Sequence, residues 1–146
     1  TGTIGKTKPA TLMHQLYTRL GFTCGLISTV ENIIGNTAVP ATHTTPDAVS
    51  LAALMEEMRQ RGCSHVFMEV SSHALDQKRV MGVHFSAAVF TNITHDHLDY
   101  HKTFLAYIQA KKLFFDHLED NSLAIINVDD RNGKTMVQNT SAKVVS

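Results

Sequence analysis

No apolar run in the 146-residue chain approaches the roughly 18 residues that a membrane-spanning helix needs, and no basic-then-apolar leader opens it. Charge of neither sign is in excess, since 13 Lys and Arg residues balance 13 Asp and Glu. Without a global field drawing it to nucleic acid or an anionic membrane, any anion it binds must be held by a local site. Cysteine is scarce. Cys24 and Cys63 stand too far apart for a CxxC pair, and two cysteines make no disulfide framework. Both sit near apolar segments, which reads as two buried free thiols in a reducing compartment and places the chain in the cytoplasm. Repeats, low-complexity tracts and internal linkers are also missing, so residues 1–146 read as one domain. What is present is an ordinary globular composition, 43% hydrophobic and 18% charged. A domain of this length buries about 70% of the surface of its unfolded chain.

Two periodicities alternate along it. Leu12, Leu16 and Leu20 recur at helical spacing from Thr7 onward, and Gly21 stands where a helix-ending glycine belongs. Residues 22–28 (FTCGLIS) read as a short buried strand, and residues 29–45 as a polar, turn-rich functional loop. A second helix follows, with Thr45 as N-cap, Pro46 in its first position, an apolar stripe at Leu51, Leu54, Met55 and Met58, and Gly62 as terminator. Residues 65–70 (HVFMEV), 86–92 (SAAVFTN) and 123–128 (LAIINV) read as further strands, with a helix over 103–118. Apolar strands alternating with helices predict an α/β fold, a mostly parallel sheet with helices on both faces. In such sheets ligands sit beyond the carboxyl ends of the strands. Residues 2–7, 28–45, 69–79, 92–101 and 127–130 all fall at that edge, and the chemically loaded side chains are concentrated there.

The first of these stretches is TGTIGKT. Gly2 and Gly5 let the backbone approach phosphate, Lys6 supplies a point charge, and the Thr7 hydroxyl can bind Mg²⁺. Phosphate loops normally follow a buried strand, so the chain is expected to be a piece of something larger. Glu69 ends its strand where it can hold Mg²⁺ directly or through water, or simply be a half-exposed strand residue. Ser71, Ser72, His73, Gln77 and Arg79 follow within ten residues. That is a dense set for an anionic, polar substrate, with Arg79 as the phosphate or carboxylate clamp. Residues 94–101 (THDHLDYH) place His95, His97 and His101 among Asp96 and Asp99. No HExxH motif or cysteine pair accompanies them, which disfavours zinc. One histidine with oxygen ligands suits Mg²⁺ or Mn²⁺ at a nucleotide site better.

TGTIGKT, THTTPD, MEVSSHALDQKR, FTNITHDHLDY, AYIQAKKLFF and INVDD, in this order and spacing, resemble the central ATPase domain of the Mur ligases. The resemblance covers nearly the whole chain. It implies a P-loop-containing nucleotide-binding fold and an ATP-dependent ligase of peptidoglycan precursor synthesis. The implied reaction adds a third amino acid, lysine or meso-diaminopimelate, to UDP-N-acetylmuramoyl-L-alanyl-D-glutamate through an acyl phosphate. By the same resemblance Gly2, Thr3, Gly5, Lys6 and Thr7 bind ATP, with Asn127 and Asp130 on the nucleotide side. Glu69 and His97, with Thr7 and Lys111, match the metal set for two Mg²⁺ ions. Lys111 matches a lysine that family members carry as a carbamate, and Lys112 is then a solvated neighbour. Thr44, Thr45, Ser71, Gln77 and Arg79 match contacts to the UDP-sugar-peptide. Lys6, His97 and Lys111 are the residues implied to serve catalysis. A carbamate makes physical sense, because a cationic lysine facing Mg²⁺ is repelled whereas CO₂ added to the neutral amine gives an anion. The family enzymes also have an N-terminal domain for the UDP end and a C-terminal domain for the amino acid, neither found in residues 1–146. The 146 residues alone are therefore expected not to ligate.

Two positions depart from the family pattern. Ile4 stands where Asn is usual and Lys8 where Thr is usual. A lost polar group and an added cation beside the phosphate loop change how ATP is handled. Both support one alternative, a nucleotide-binding module that does not ligate. A second alternative is another Mur-type ligase such as folylpolyglutamate synthetase, whose substrate loops should lack SSHALDQKR. A His/Asp metal hydrolase leaves the phosphate loop unexplained.

Overall fold

The strands form two sheets instead of one in the computed structural model, which describes residues 1–3, 5–94 and 98–146. Helix α1 (Thr7–Arg19) leads into β1 (Cys24–Ile27), β2 (Glu31–Ile34), β3 (Thr37–Pro40), α2 (Ala48–Gln60) and β4 (His65–Met68). Then come α3 (Ser72–Asp76), β5 (Ala87–Phe90), α4 (Leu98–His101), α5 (Phe104–Asp116), β6 (Leu123–Ile126), α6 (Gly133–Met136) and β7 (Lys143–Val145). The first sheet has the order β3-β2-β1-β4, with β4 parallel to β1 and the other pairs antiparallel. The second, β5-β6-β7, is parallel throughout. The α/β class holds, but the topology is mixed. The exception is residues 29–45, read as a loop, which contain the β2–β3 hairpin. Ile34 pairs with Thr37, leaving Gly35-Asn36 as a two-residue turn with Gly35 at φ 59°.

Helices cover both faces of the first sheet. Along β1, Gly25 and Ile27 face α2, which packs so closely that a Cβ on Gly25 would lie 2.5 Å from Met58 Sδ. Ile27, Ile34, Leu51 and Met58 form that core. On the other face, Tyr17 of α1 lies against His65 and Phe67 of β4, with ring centroids 4.8 and 5.2 Å apart. The second sheet buries Phe90 and Ile126 against Tyr107, Phe114 and Phe115 of α5 and Met136 of α6.

Two expectations about the helices need correction. The Leu12–Leu16–Leu20 stripe has the right spacing for α1 but faces outward, 49–63% exposed, while His14 is the residue α1 buries. Thr45 does not cap α2. Asp47 does, accepting from Val49 N and Ser50 N at 3.0 Å each, and Thr45 is released for a buried bond described below. The glycine terminators behave as expected: Gly21 and Gly62 adopt φ 94° and 78° just past α1 and α2. Cys63 N then reaches back to Met58 O with Gly62 N on Arg59 O, and Phe22 N to Tyr17 O with Gly21 N on Thr18 O, the paired bonds of two Schellman endings.

Burial lowers the pKa of His14, whose Nε2 finds no partner among the described residues. The unfolded chain therefore binds a proton more readily at this site than the native chain. The stability His14 contributes is complete above about pH 6.5 and is lost as pH falls through its lowered native value. A chemical-denaturation midpoint that falls between pH 7.5 and 5.5 in the natural chain, and falls less in His14→Gln, is the expected result.

Among the described residues, β4 and β5 each have a neighbouring strand on one side, and the two line a common cavity of about 750 Å³ that includes Val66, Phe67, Ala88 and Val89. Thr1 already forms a rung there: its nitrogen donates to Val89 O, and Thr91 N donates to Thr1 O at 3.0 Å. That pattern is parallel pairing opposite Phe90. No helix among the described residues is long and apolar enough to cross a membrane.

Candidate functional site

The glycine loop is clamped from beneath. A Cβ on Gly2 would meet Thr91 Oγ1 at 1.9 Å and Asn92 O at 3.2 Å, so only glycine fits. Among the described residues Gly5 has open space around it but adopts φ 77°, the second reason for a glycine. Thr3 N donates to Asn92 O, and Thr3 Oγ1 accepts from Thr94 N and meets Tyr107 Oη, both at 2.9 Å. Lys6 folds back over the loop, its Nζ donating to Gly2 O at 3.0 Å and Thr3 O at 3.1 Å. Thr7 is the first residue of α1, one step after the Lys6 N-cap.

Helix α5 brings Lys111 to the same loop. It is 1% exposed, and its Nζ donates to Gly2 O at 3.1 Å and Thr1 Oγ1 at 3.2 Å, 4.9 Å above the Tyr107 ring. Tyr107 lies one helical turn earlier on the same face and is fully buried. The sequence reading missed Tyr107, although its i, i+4 spacing from Lys111 was the available signal. Lys112 is not a solvated neighbour. Its Nζ pairs with Asp116 at 2.7 Å, and its side chain is only 13% exposed.

Glu69 is no half-exposed strand residue. It is 2% exposed, and its carboxylate accepts from Thr29 N at 2.9 Å and Thr29 Oγ1 at 3.2 Å. Thr29 Oγ1 also lies 3.1 Å from Thr44 Oγ1. Thr45 Oγ1 donates to Glu69 O at 2.9 Å and accepts from Ser71 N, and the Ser71 hydroxyl caps α3 through Ala74 N. Arg79 reaches the same knot: Nη1 donates to Thr45 O at 2.9 Å, while Nε and Nη2 both donate to Gln77 Oε1. All the predicted substrate residues therefore meet in one network. Lys6, Glu69 and Arg79 line the same cavity as β4 and β5, and Arg79 also borders a smaller one, about 330 Å³, with His43 and Asp47.

Asn127 and Asp130 serve the loops. Asn127 Nδ2 donates to Thr91 O at 2.8 Å, and Asp130 Oδ2 accepts from Ile93 N at 2.7 Å, pinning the exit of β5 to the exit of β6. Ile4, His95, Asp96 and His97 lie outside the described residues. His101 is buried and stacks on Tyr107 at 5.1 Å.

Oxygen donors dominate, which is the chemistry Mg²⁺ prefers. The described residues hold no cluster of three His, Cys, Asp or Glu close enough to bind a metal unaided. Magnesium at nucleotide sites is usually held by one or two carboxylates with waters and phosphates completing its shell, so a single buried Glu69 with free lone pairs fits such an ion.

The chain belongs to the Mur ligase family, whose middle-domain model matches residues 1–146. It is similar to UDP-N-acetylmuramoyl-L-alanyl-D-glutamate--2,6-diaminopimelate ligases. With that of Cytophaga hutchinsonii it shares 59% identity over 143 residues, covering 98% of this chain and 29% of that protein. With that of Bacteroides fragilis it shares 52% over 144 residues, covering 99% and 30%. A solved structure of a ligase of the same description superposes with a TM-score of 0.82 at 32% identity, covering 99% of this chain and 30% of the other. The chain thus spans about 30% of the length of these relatives.

Proposed function

We propose that the chain is the ATP-handling central domain of a ligase that joins 2,6-diaminopimelate to UDP-N-acetylmuramoyl-L-alanyl-D-glutamate in the cytoplasm. The observation that carries this reading is the single cavity shared by Lys6, Glu69 and Arg79: a phosphate lysine, a buried carboxylate and an anion clamp. The sequence left lysine and diaminopimelate open as the third amino acid, and the names of the similar ligases favour diaminopimelate.

In this reading ATP phosphorylates the terminal carboxylate of the dipeptide, and the incoming amine displaces phosphate to form the amide. Bound Mg²⁺, two ions by family resemblance, would neutralise charge on the transferring phosphoryl group, held from this chain by Glu69 and Thr7 with His97 and a carbamylated Lys111. The glycine loop, as a P-loop, would offer N–H groups and the α1 N-terminus to phosphate. Lys6, which rests on the carbonyls of Gly2 and Thr3, would turn its ammonium to the phosphate. Arg79, Thr44, Thr45 and Ser71 would serve the anionic substrate. Chemistry of this kind rests on positioning and charge neutralisation, and no side-chain nucleophile is needed.

The test is ligation by a full-length protein containing this domain. Turnover with 2,6-diaminopimelate at least tenfold above lysine, and none by the 146 residues alone, is expected. Equal use of lysine, or amide formation by the isolated chain, overturns the reading.

A further inference from the structure

We infer that Tyr100 is a positioning residue for Arg79, acting through Gln77 to fix the guanidinium that faces the anionic substrate; this rests on the ligase reading above. The argument is one of hydrogen-bond polarity. Arg79 can only donate, and it spends Nε and Nη2 on the carbonyl oxygen of the Gln77 amide and Nη1 on Thr45 O. The Gln77 amide has two unlike ends. Turned over, it would present NH₂ to the guanidinium, donor against donor, and release it.

Tyr100 decides which end faces which. Its hydroxyl proton is taken by Asp76 Oδ2 at 2.8 Å, so toward Gln77 it offers only lone pairs. Gln77 Nε2 donates to those lone pairs at 3.1 Å, which leaves Oε1 aimed at Arg79. Donation from Arg79 to Gln77 to Tyr100 to Asp76 therefore runs in one direction, each link fixing the polarity of the next, and Arg79 separately donates to Thr45 O. The Tyr100 ring is itself held by contact with His73, 4.2 Å between centroids. Gln77 caps α3, and Lys78 at φ 56° takes the place a helix-ending glycine would fill. Lys78 N bonds Leu75 O and Arg79 N bonds Ala74 O, folding Arg79 back toward Gln77. Among the described residues, three of the five guanidinium N–H groups are engaged by this scaffold, leaving two for a substrate oxygen pair.

In the full-length ligase, Tyr100→Phe keeps the ring and its stacking and removes only the hydroxyl. The KM for the UDP-dipeptide is expected to rise roughly three- to tenfold, the effect of one lost neutral hydrogen bond, with the KM for ATP within twofold of the natural enzyme. Gln77→Ala should raise the same KM, and adding Tyr100→Phe to it should change nothing further, because both act through one link. A dipeptide KM unmoved by Tyr100→Phe, an equal rise in the KM for ATP, or multiplying effects in the double variant would overturn the inference. A second arm needs no ligation. In ¹⁵N NMR of the 146-residue chain, the Arg79 Nε–H signal is expected to be sharp and exchange-protected, and to be lost to exchange in Tyr100→Phe. An unchanged signal refutes the positioning role even if the protein proves not to ligate, whereas an inactive natural enzyme refutes only the ligase reading.

Discussion

Glu69→Gln in the full-length ligase is expected to lower kcat roughly 10²- to 10³-fold while the protein stays folded, the size of effect seen when one charge-stabilising group is lost at a reacting centre. The substitution is nearly isosteric. The Gln carbonyl can still accept from Thr29 N, and its NH₂ can donate to the Thr29 hydroxyl, so both bonds to the β1 exit survive. What disappears is a negative charge that is 2% exposed and, among the described residues, forms no ion pair. Burying a carboxylate in that state is unfavourable unless a cation completes it, which is the physical ground for the metal-holding role proposed for Glu69. The Mg²⁺ concentration for half-maximal ligation should rise in parallel, and the thermal midpoint should stay within a few degrees. A rate within threefold of the natural enzyme would make Glu69 merely the acceptor that orders Thr29.

Gly2→Ala should be the most damaging change to the loop, costing about 2–4 kcal/mol of stability and abolishing measurable ATP binding. The added methyl would sit 1.9 Å from Thr91 Oγ1 and 3.2 Å from Asn92 O. Thr91 Oγ1 would have to rotate away, and Asn92 O is held in place by Thr3 N at 3.0 Å. Displacing Gly2 also moves the carbonyl on which Lys6 and Lys111 both rest. Gly5→Ala is the internal control. Among the described residues it meets no atom within 4 Å, and it should cost only about 1 kcal/mol for its positive φ. Denaturant midpoints and nucleotide titrations on the two variants separate collision from conformational strain; equal losses would refute the steric account.

How much of this was legible in the sequence depends on which force set each feature. Helices ended where glycine permits a left-handed turn, so Gly21 and Gly62 were readable, while α3 ends the same way on Lys78 and carried no such signal. The β2–β3 hairpin was hidden by strands of only four residues, although Gly35-Asn36 between Ile34 and Thr37 is a usable hairpin sign. Spacing located α1 but misjudged its buried face, because periodicity does not say which side meets the sheet. Among site residues, one-dimensional motifs pointed to Lys6, Glu69 and Arg79, which line one cavity, to Thr45, which bonds Glu69 and Arg79, and to Lys111, which reaches the glycine loop. Tyr107 and Tyr100 escaped because their roles come from three-dimensional partners, Thr3 and Lys111 for the first, Asp76 and Gln77 for the second.

The flanks of β4 and β5 that have no neighbouring strand among the described residues carry a consequence for handling the protein. An unpaired strand is a template for another chain, and natural sheets blunt such edges with charge, proline or cover. Here the two flanks carry Val66 and Val89, each more than a third exposed, with no lysine or proline in either strand. Expressed as 146 residues, the chain has adhesive margins that invite edge-to-edge aggregation as concentration rises. Dimers or precipitates of this piece would then report the stickiness of its margins and not the assembly of the ligase, and a lysine placed at Val89 is the simplest way to keep it dispersed.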